Sequence, residues 1–322
     1  MSSIPEEMYH EILLRVPVRS LLVCKSVCKK WYALITSSNF VNAHLNLTTE
    51  KNNPLLMLKA LSWDTNSSLF FSIGYDSLAS CSVLGENDSV DAIEMGYPFK
   101  SLGYHSFKLL GSSNGLICMA MFGRYNKNLL CVWNPATREY DEIQPTLSSI
   151  EPYDSVRLHA FGYDCKSDDY ELAIGVQTDG RESSTLVQVY SLASHSWKTQ
   201  KTIPYWFHGE EKSGVIFNGD FHWFAAPLGQ DSYLLLAFDI SDDTFKEMQL
   251  PKELLKYRYQ DLFLGVLEGR LWILVSSNMS FQFEVWKMMV FENLGLSIVS
   301  LPMRVFSIPC FILGLCYLLR MG

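Results

Sequence analysis

Four segments of this 322-residue chain repeat one form: an apolar strand ending in an aromatic, a polar turn, a second aromatic, then mixed charges. Leu130-Cys-Val-Trp133 runs through Asn-Pro-Ala-Thr-Arg-Glu to Tyr140, and Val187-Gln-Val-Tyr190 runs through Ser-Leu-Ala-Ser-His-Ser to Trp197. Leu236-Ala-Phe238 leads to Phe245 in the same way, while Phe283-Glu-Val-Trp286 keeps only the first half of the form. The leading aromatics are 57, 48 and 48 residues apart. Each follows a further strand candidate containing glycine, near 115–120, 161–163, 214–219 and 264–269. A strand-built period near 50 predicts β-propeller blades, each burying its apolar face on the next, so that none folds alone. A two-sheet sandwich fits the strand count but accounts less well for the spacing.

The first 45 residues follow a different period. Ser3 is placed to cap a helix, Pro5 sits just inside its start, and Glu6 and Glu7 suit the positive end of its dipole. Met8, Ile12 and Val16 form an apolar stripe at helical spacing, and Pro17 ends the helix. A second helical stretch is predicted from Val18 to Ile35, with Leu21, Leu22, Val27, Trp31, Leu34 and Ile35 as its apolar positions. On that reading Cys24 and Cys28 share one helix face. Three short helices bury little surface, so this piece is expected to need a partner or a neighbouring domain. Beyond residue 50 alternation replaces the helical period, apart from a helix-like run at 251–259.

Composition narrows the function. Hydrophobic residues make up 48% and charged residues 19% of the chain, enough for a buried core. The net charge of -8 argues against a phosphate-binding surface, so no nucleic-acid partner is expected. Residues 1–45 hold five Lys and Arg against three Glu, leaving 21 against 31 in the rest. The small basic excess is either a solvated face or a patch for an acidic partner. None of the eight cysteines forms a C-x-x-C pair, which favours free thiols in a reducing, intracellular compartment, cytoplasm or nucleus.

No catalytic constellation is apparent, and no cofactor or metal is expected. Asp168-Asp169 and Asp242-Asp243 read as turn residues rather than an acid/base pair. His195, His208 and His222 have no ligand-spaced partner, and Gly111-Ser-Ser-Asn-Gly115 is too short for a phosphate loop and lacks its lysine. After Lys287 the blade pattern stops. The apolar run from Val305 to Leu319 has 15 residues, fewer than the roughly 20 of a spanning helix, so a membrane role is not expected.

The N-terminal residues Ile4-Pro5-Glu6-Glu7-Met8, Arg15-Val16-Pro17-Val18-Arg19-Ser20-Leu21-Leu22 and Val27-Cys28-Lys29-Lys30-Trp31 resemble the plant F-box motif. The later landmarks Gly111-Ser-Ser-Asn-Gly-Leu-Ile117, Trp133-Asn-Pro-Ala-Thr-Arg138, Phe161-Gly-Tyr-Asp164 and Asn218-Gly-Asp-Phe-His-Trp223 resemble the F-box-associated domain of the same family. The resemblance implies a non-enzymatic subunit of an SCF-type ubiquitin ligase. Its F-box docks on a Skp-type adaptor, and through it a cullin, while the β domain selects an unidentified protein substrate. Adaptor-facing positions carried over are Pro5, Ile12, Leu13, Val16, Pro17, Leu21, Val27, Cys28 and Trp31. The sequence departs from the family at Val23-Cys24, where Arg-Phe is usual, which is expected to weaken docking.

The expected architecture is therefore an α + β multidomain chain. It comprises an F-box helical module at 1–46, an all-β, propeller-like domain at 47–290, and a divergent apolar tail at 291–322 that leaves the propeller incomplete unless it supplies strands. Two rival readings stay open: a divergent F-box chain with little ligase role, and an enzyme on a propeller scaffold. Substrate recognition is expected in loops 122–129, 177–185 and 227–233, because variable loops on a fixed scaffold carry recognition.

Overall fold

The recurring aromatic lands at one place in four successive sheets. In the computed structural model of the chain, Trp133, Tyr190, Phe238 and Trp286 are all buried, each on the third of four consecutive antiparallel strands. The structure describes residues 6–50, 55–62, 67–74, 93–97, 103–124, 128–144, 156–177, 184–207, 213–230, 232–258, 261–267, 270–277, 282–291, 295–301 and 316–319. It divides into two compact units, one of Met1–Lys108, Ser112–Glu142 and Leu315–Gly322, the other of Leu109–Gly111 and Ile143–Gly314.

The first unit opens with four helices: α1 (Glu6–Leu14), α2 (Val18–Cys24), α3 (Lys29–Ile35) and α4 (Ser38–Glu50). The helical stretch expected over Val18–Ile35 is two helices, broken between Cys24 and Lys29. Ser26 donates its hydroxyl to the Val23 carbonyl at 2.7 Å, and Cys28 is extended and accepts from the Trp31 amide through Sγ at 3.5 Å. Such local side-chain bonds compete with a continuing helix. Cys24 therefore ends one helix and Cys28 caps the next, rather than sharing a face. A module boundary at 46 falls inside α4. Ser3 lies outside the described residues.

The same unit holds two sheets. Sheet 1 consists of β1 (Leu55–Ser62), β2 (Ser67–Gly74) and β3 (Ile93–Glu94), and sheet 2 of β4 (Tyr104–Ser113), β5 (Leu116–Gly123), β6 (Asn128–Trp133) and β7 (Tyr140–Ile143). Phe70 of sheet 1 meets Phe107 and Trp133 of sheet 2, ring centroids 5.5 and 5.9 Å apart.

The second unit holds three sheets. Sheet 3 runs β8 (Val156–Asp164), β9 (Asp169–Gln177), β10 (Thr185–Ser191) and β11 (Ser196–Ile203). Sheet 4 has β12 (Tyr205–Trp206), β13 (Val215–Phe217), β14 (Asp220–Pro227), β15 (Leu234–Asp239) and β16 (Thr244–Gln249). Sheet 5 has β17 (Leu262–Leu267), β18 (Arg270–Ser277), β19 (Gln282–Phe291) and β20 (Gly295–Leu301). Alternate residues of β14 and β15 face opposite neighbours. Phe221, Trp223, Ala225, Leu234, Leu236 and Phe238 join the core shared with sheet 3. Phe224 and Leu235 join the core shared with sheet 5. Face-to-face stacking of this kind is blade packing.

The apolar tail, for which a closing strand was one of the expected roles, does contribute strands. β19 runs to Phe291, β20 completes sheet 5, and β21 (Cys316–Leu319) pairs antiparallel with β1, from Leu55 opposite Leu319 to Leu58 opposite Cys316. The sequence hid this because position 293, where the second aromatic of the repeat belongs, is Asn. The run near 251–259 forms turns over 252–256 rather than a helix.

Turn chemistry fixes the hairpins. Arg138, His195 and Asp243 each stand five residues after the leading aromatic, and each has positive φ. The residue after the aromatic caps the same turn. Asn134 Oδ1 accepts from Ala136 and Thr137 amides, Ser191 Oγ from Ser194, and Asp239 Oδ1 from Ser241 and Asp242. The aromatics then meet across the hairpin, Tyr190 with Trp197 at 5.3 Å and Phe238 with Phe245 at 4.4 Å. Asn114-Gly115 and Asn218-Gly219 have positive φ at both residues, as a two-residue turn between right-twisted strands requires.

Two tests follow from the unit that holds sheets 3–5. A Cβ at Gly214 would stand 2.0 Å from Trp223 Nε1, the atom that donates to the His159 carbonyl at 3.1 Å. Gly214→Ala is expected to cost on the order of 3 kcal/mol in urea unfolding, combining overpacking with a lost buried hydrogen bond. Burial lowers the pKa of His222, whose Nδ1 donates to the Asp220 carbonyl at 3.0 Å. The folded state thus holds this ring neutral while the unfolded chain takes up its proton near about pH 6.5. Stability is full above that pH and falls as pH drops towards the folded value. The urea midpoint is expected to fall less steeply between about pH 7.5 and about pH 5.5 in His222→Phe than in the wild type.

Candidate docking surface

Leu13, Leu14, Leu21, Ile35 and Phe40 close a small core among the four helices, with Tyr9, Val16, Cys24, Trp31, Leu34 and Ala43 packed against it. The structure divides the nine carried-over positions accordingly. Leu13 and Leu21 are sunk in this core, and Val16 and Trp31 lie half-buried against it. Ile12 and Val27 are 55% and 60% exposed, and Pro17 and Cys28 are also exposed. Pro5 lies outside the described residues. Met8, Tyr32 and Val41, to which the sequence assigned no docking role, are large, apolar and exposed, as is Val23. Helical spacing already placed Met8 one turn from Ile12 on the same stripe; the exposure of the others follows from how the four helices pack. Where the family usually has Arg-Phe, Val23 is exposed and Cys24 is half-buried against the core.

Arg19, Lys29 and Lys30 are exposed on the same module, and Arg15 pairs with Glu11 at 3.7 Å in solvent. An exposed pair of this kind adds little stability. Exposed apolar side chains on a module that also exposes cations suit a partner surface that is apolar and carries acidic groups.

The three expected recognition loops join the second and third strands of sheets 2, 3 and 4. In each sheet that connection lies at the end away from the tight turns. Residues 125–127, 178–183 and 231 of these loops lie outside the described residues.

The charged groups elsewhere answer one another. Lys166 Nζ is 3.3 Å from both Asp220 and Asp239, which also receives Lys246 at 3.3 Å. Lys198 meets Asp169 at 3.4 Å and Glu171 at 3.0 Å. Burial, against the pull of Lys198, raises the Glu171 pKa. Burial pushes the Cys118 and Cys131 thiols up as well, the wrong direction for nucleophiles. Among the described residues no group of three or more His, Cys, Asp or Glu could hold a metal ion, and no helix is long and apolar enough to cross a membrane.

Helices with apolar side chains left in solvent, followed by stacked antiparallel sheets of four or five strands, define a helical module joined to a propeller-type β domain. The F-box domain matches residues 1–42, and the F-box associated beta propeller domain matches residues 65–299. The chain belongs to the F-box proteins that carry an F-box associated beta propeller domain. It is 28% identical to an F-box/kelch-repeat protein of Arabidopsis thaliana over 257 residues, covering 77% of this chain and 66% of that one. It is 27% identical to the Arabidopsis thaliana F-box protein CPR1 over 311 residues, covering 89% of this chain and 70% of that one. The chain thus spans about two thirds of the length of these relatives. Among solved structures, TolB from Acinetobacter baumannii matches with a TM-score of 0.45 and 10% identity, over 77% of this chain and 53% of that one.

The burial division makes a direct prediction. Leu13→Ala is expected to destabilise the helical module by about 2–5 kcal/mol. Ile12→Asp and Val27→Asp are expected to change it by less than about 0.5 kcal/mol. Thermal unfolding followed by far-ultraviolet circular dichroism distinguishes the two classes.

Proposed function

We propose that this chain is the substrate receptor of an SCF-type ubiquitin ligase, docking on a Skp-type adaptor, and through it a cullin, with its helical module. The observation that carries this reading is the exposure of Met8, Ile12 and Val23 on helices, and of Val27 in the turn between α2 and α3, in a module whose own core is already closed. A closed core leaves these side chains nothing to pack on within the module, and burying them on a partner is favourable at about 25 cal/mol per Å². Membership of the F-box family supports the same partner.

The β domain supplies recognition in this reading. The inner strands of sheet 4 bury both faces, which leaves binding to the loops, and 122–129, 177–185 and 227–233 are the proposed substrate-facing segments. The chain enters sheet 1 from α4, at the end of β1 away from the β1–β2 connection. Ubiquitin transfer belongs to other subunits, and the chain works inside the cell, in cytoplasm or nucleus.

Co-purification with a Skp-type adaptor tests the proposal. Wild type is expected to form a stoichiometric complex that survives gel filtration. Ile12→Asp combined with Val27→Asp is expected to lose it while retaining wild-type helicity. A wild-type chain that is monodisperse alone and does not retain the adaptor removes the proposal.

A further inference from the structure

We propose that His44 is a positioning residue for docking, pinning the corner between α1 and α2 on which the spacing of the exposed apolar side chains depends. The inference rests on the docking role proposed above. α1 ends in tight turns, with the Arg15 amide donating to Ile12 and the Val16 amide to Leu13, both at 3.1 Å. The chain then passes through Pro17, which is extended at φ -57 and ψ 146 and has no N–H to give. The Val16 carbonyl lies beyond the last turn of α1. His44 of α4, 28 residues on, reaches it through Nε2 at 2.9 Å. A carbonyl only accepts, so Nε2 carries the proton.

The ring is itself held. His44 is buried and stacks on Phe40, centroids 6.1 Å apart at 22°. Phe40 is in the module core, and His10 of α1 meets the same ring edge-on at 5.6 Å. Three rings and one hydrogen bond thus tie α4 to both ends of the corner's approach. Ile12 stands one turn before the corner, Pro17 forms it, and Val23 and Val27 follow it. The angle between α1 and α2 therefore sets the distance between the two halves of the exposed surface. A loose corner would have to be ordered on binding, at a cost in affinity.

The test titrates a Skp-type adaptor onto the full chain as wild type, His44→Phe, His44→Gln and Ile35→Val. His44→Phe keeps a ring on Phe40 but removes the donor, and is expected to bind roughly tenfold more weakly. His44→Gln restores a donor and is expected to bind within about threefold of wild type. Ile35→Val trims the same core by one methylene while leaving the His44 hydrogen bond intact, and is expected to bind within about threefold of wild type. Hydrogen exchange at the Ser20 and Leu21 amides, which donate to the Pro17 carbonyl, is expected to quicken in His44→Phe alone. Wild-type affinity in His44→Phe, equal weakening in Ile35→Val, or no rescue by His44→Gln would overturn the proposal. Should wild type itself not bind the adaptor, the docking role fails, and unchanged exchange at Ser20 and Leu21 would separately remove the pin.

Discussion

Sheet 4 has to bury both faces. Six of the eight positions of β14 and all six of β15 are buried, so neither face can be left to water. A sheet with one wet face alternates apolar and polar residues, whereas Asp220–Pro227 and Leu234–Asp239 read as near-continuous apolar runs. Only neighbours on both sides satisfy such strands. Sheets 3 and 5 provide them, and the period near 50 in the sequence is the length of chain needed to build one such layer and turn back. The polar residues are displaced to the turns as a consequence. There Asp164 accepts from the Lys166 and Ser167 amides, and Asp239 caps its own turn while holding two lysines. These carboxylates are occupied in bending the chain.

The parts legible in the sequence were those in which one residue type does one local job. A buried aromatic on the third strand, a capping Asn, Ser or Asp after it, and a left-handed residue five positions on recur together, so the repeat could be read without knowing how the sheets stack. Pairings between residues remote in sequence were not legible. β21 joins β1 across some 260 residues, and four residue pairs leave no local mark. The break at 25–28 was missed for the opposite reason: Val27, Trp31, Leu34 and Ile35 keep a helical stripe, while the interruption rests on a serine hydroxyl and a cysteine sulfur. Helical pattern reports burial, and it does not report such local bonds.

The docking surface shows the same limit from another side. Leu13 and Ile12 are adjacent, equally apolar and both carried over by resemblance, yet one is 2% exposed and the other 55%. A motif records that a position matters to the family, without separating a side chain that holds the module together from one that the module presents. Packing separates them. Leu13 is enclosed with Leu21, Ile35 and Phe40, and what remains outside is the surface available to a partner.

This division also explains how a module of some 45 residues can fold and still present hydrophobic side chains. Its core is small, so it cannot recruit every apolar residue, and its geometry depends on a few directional contacts rather than on bulk burial. The bond from His44 to the Val16 carbonyl is one such contact, and the Ser37 hydroxyl accepting from the Phe40 amide at 3.3 Å is another. Bulk burial would draw Ile12 and Val27 inward. Directional contacts fix the helices at angles where inward motion would break hydrogen bonds, and so keep those side chains in solvent until a partner covers them.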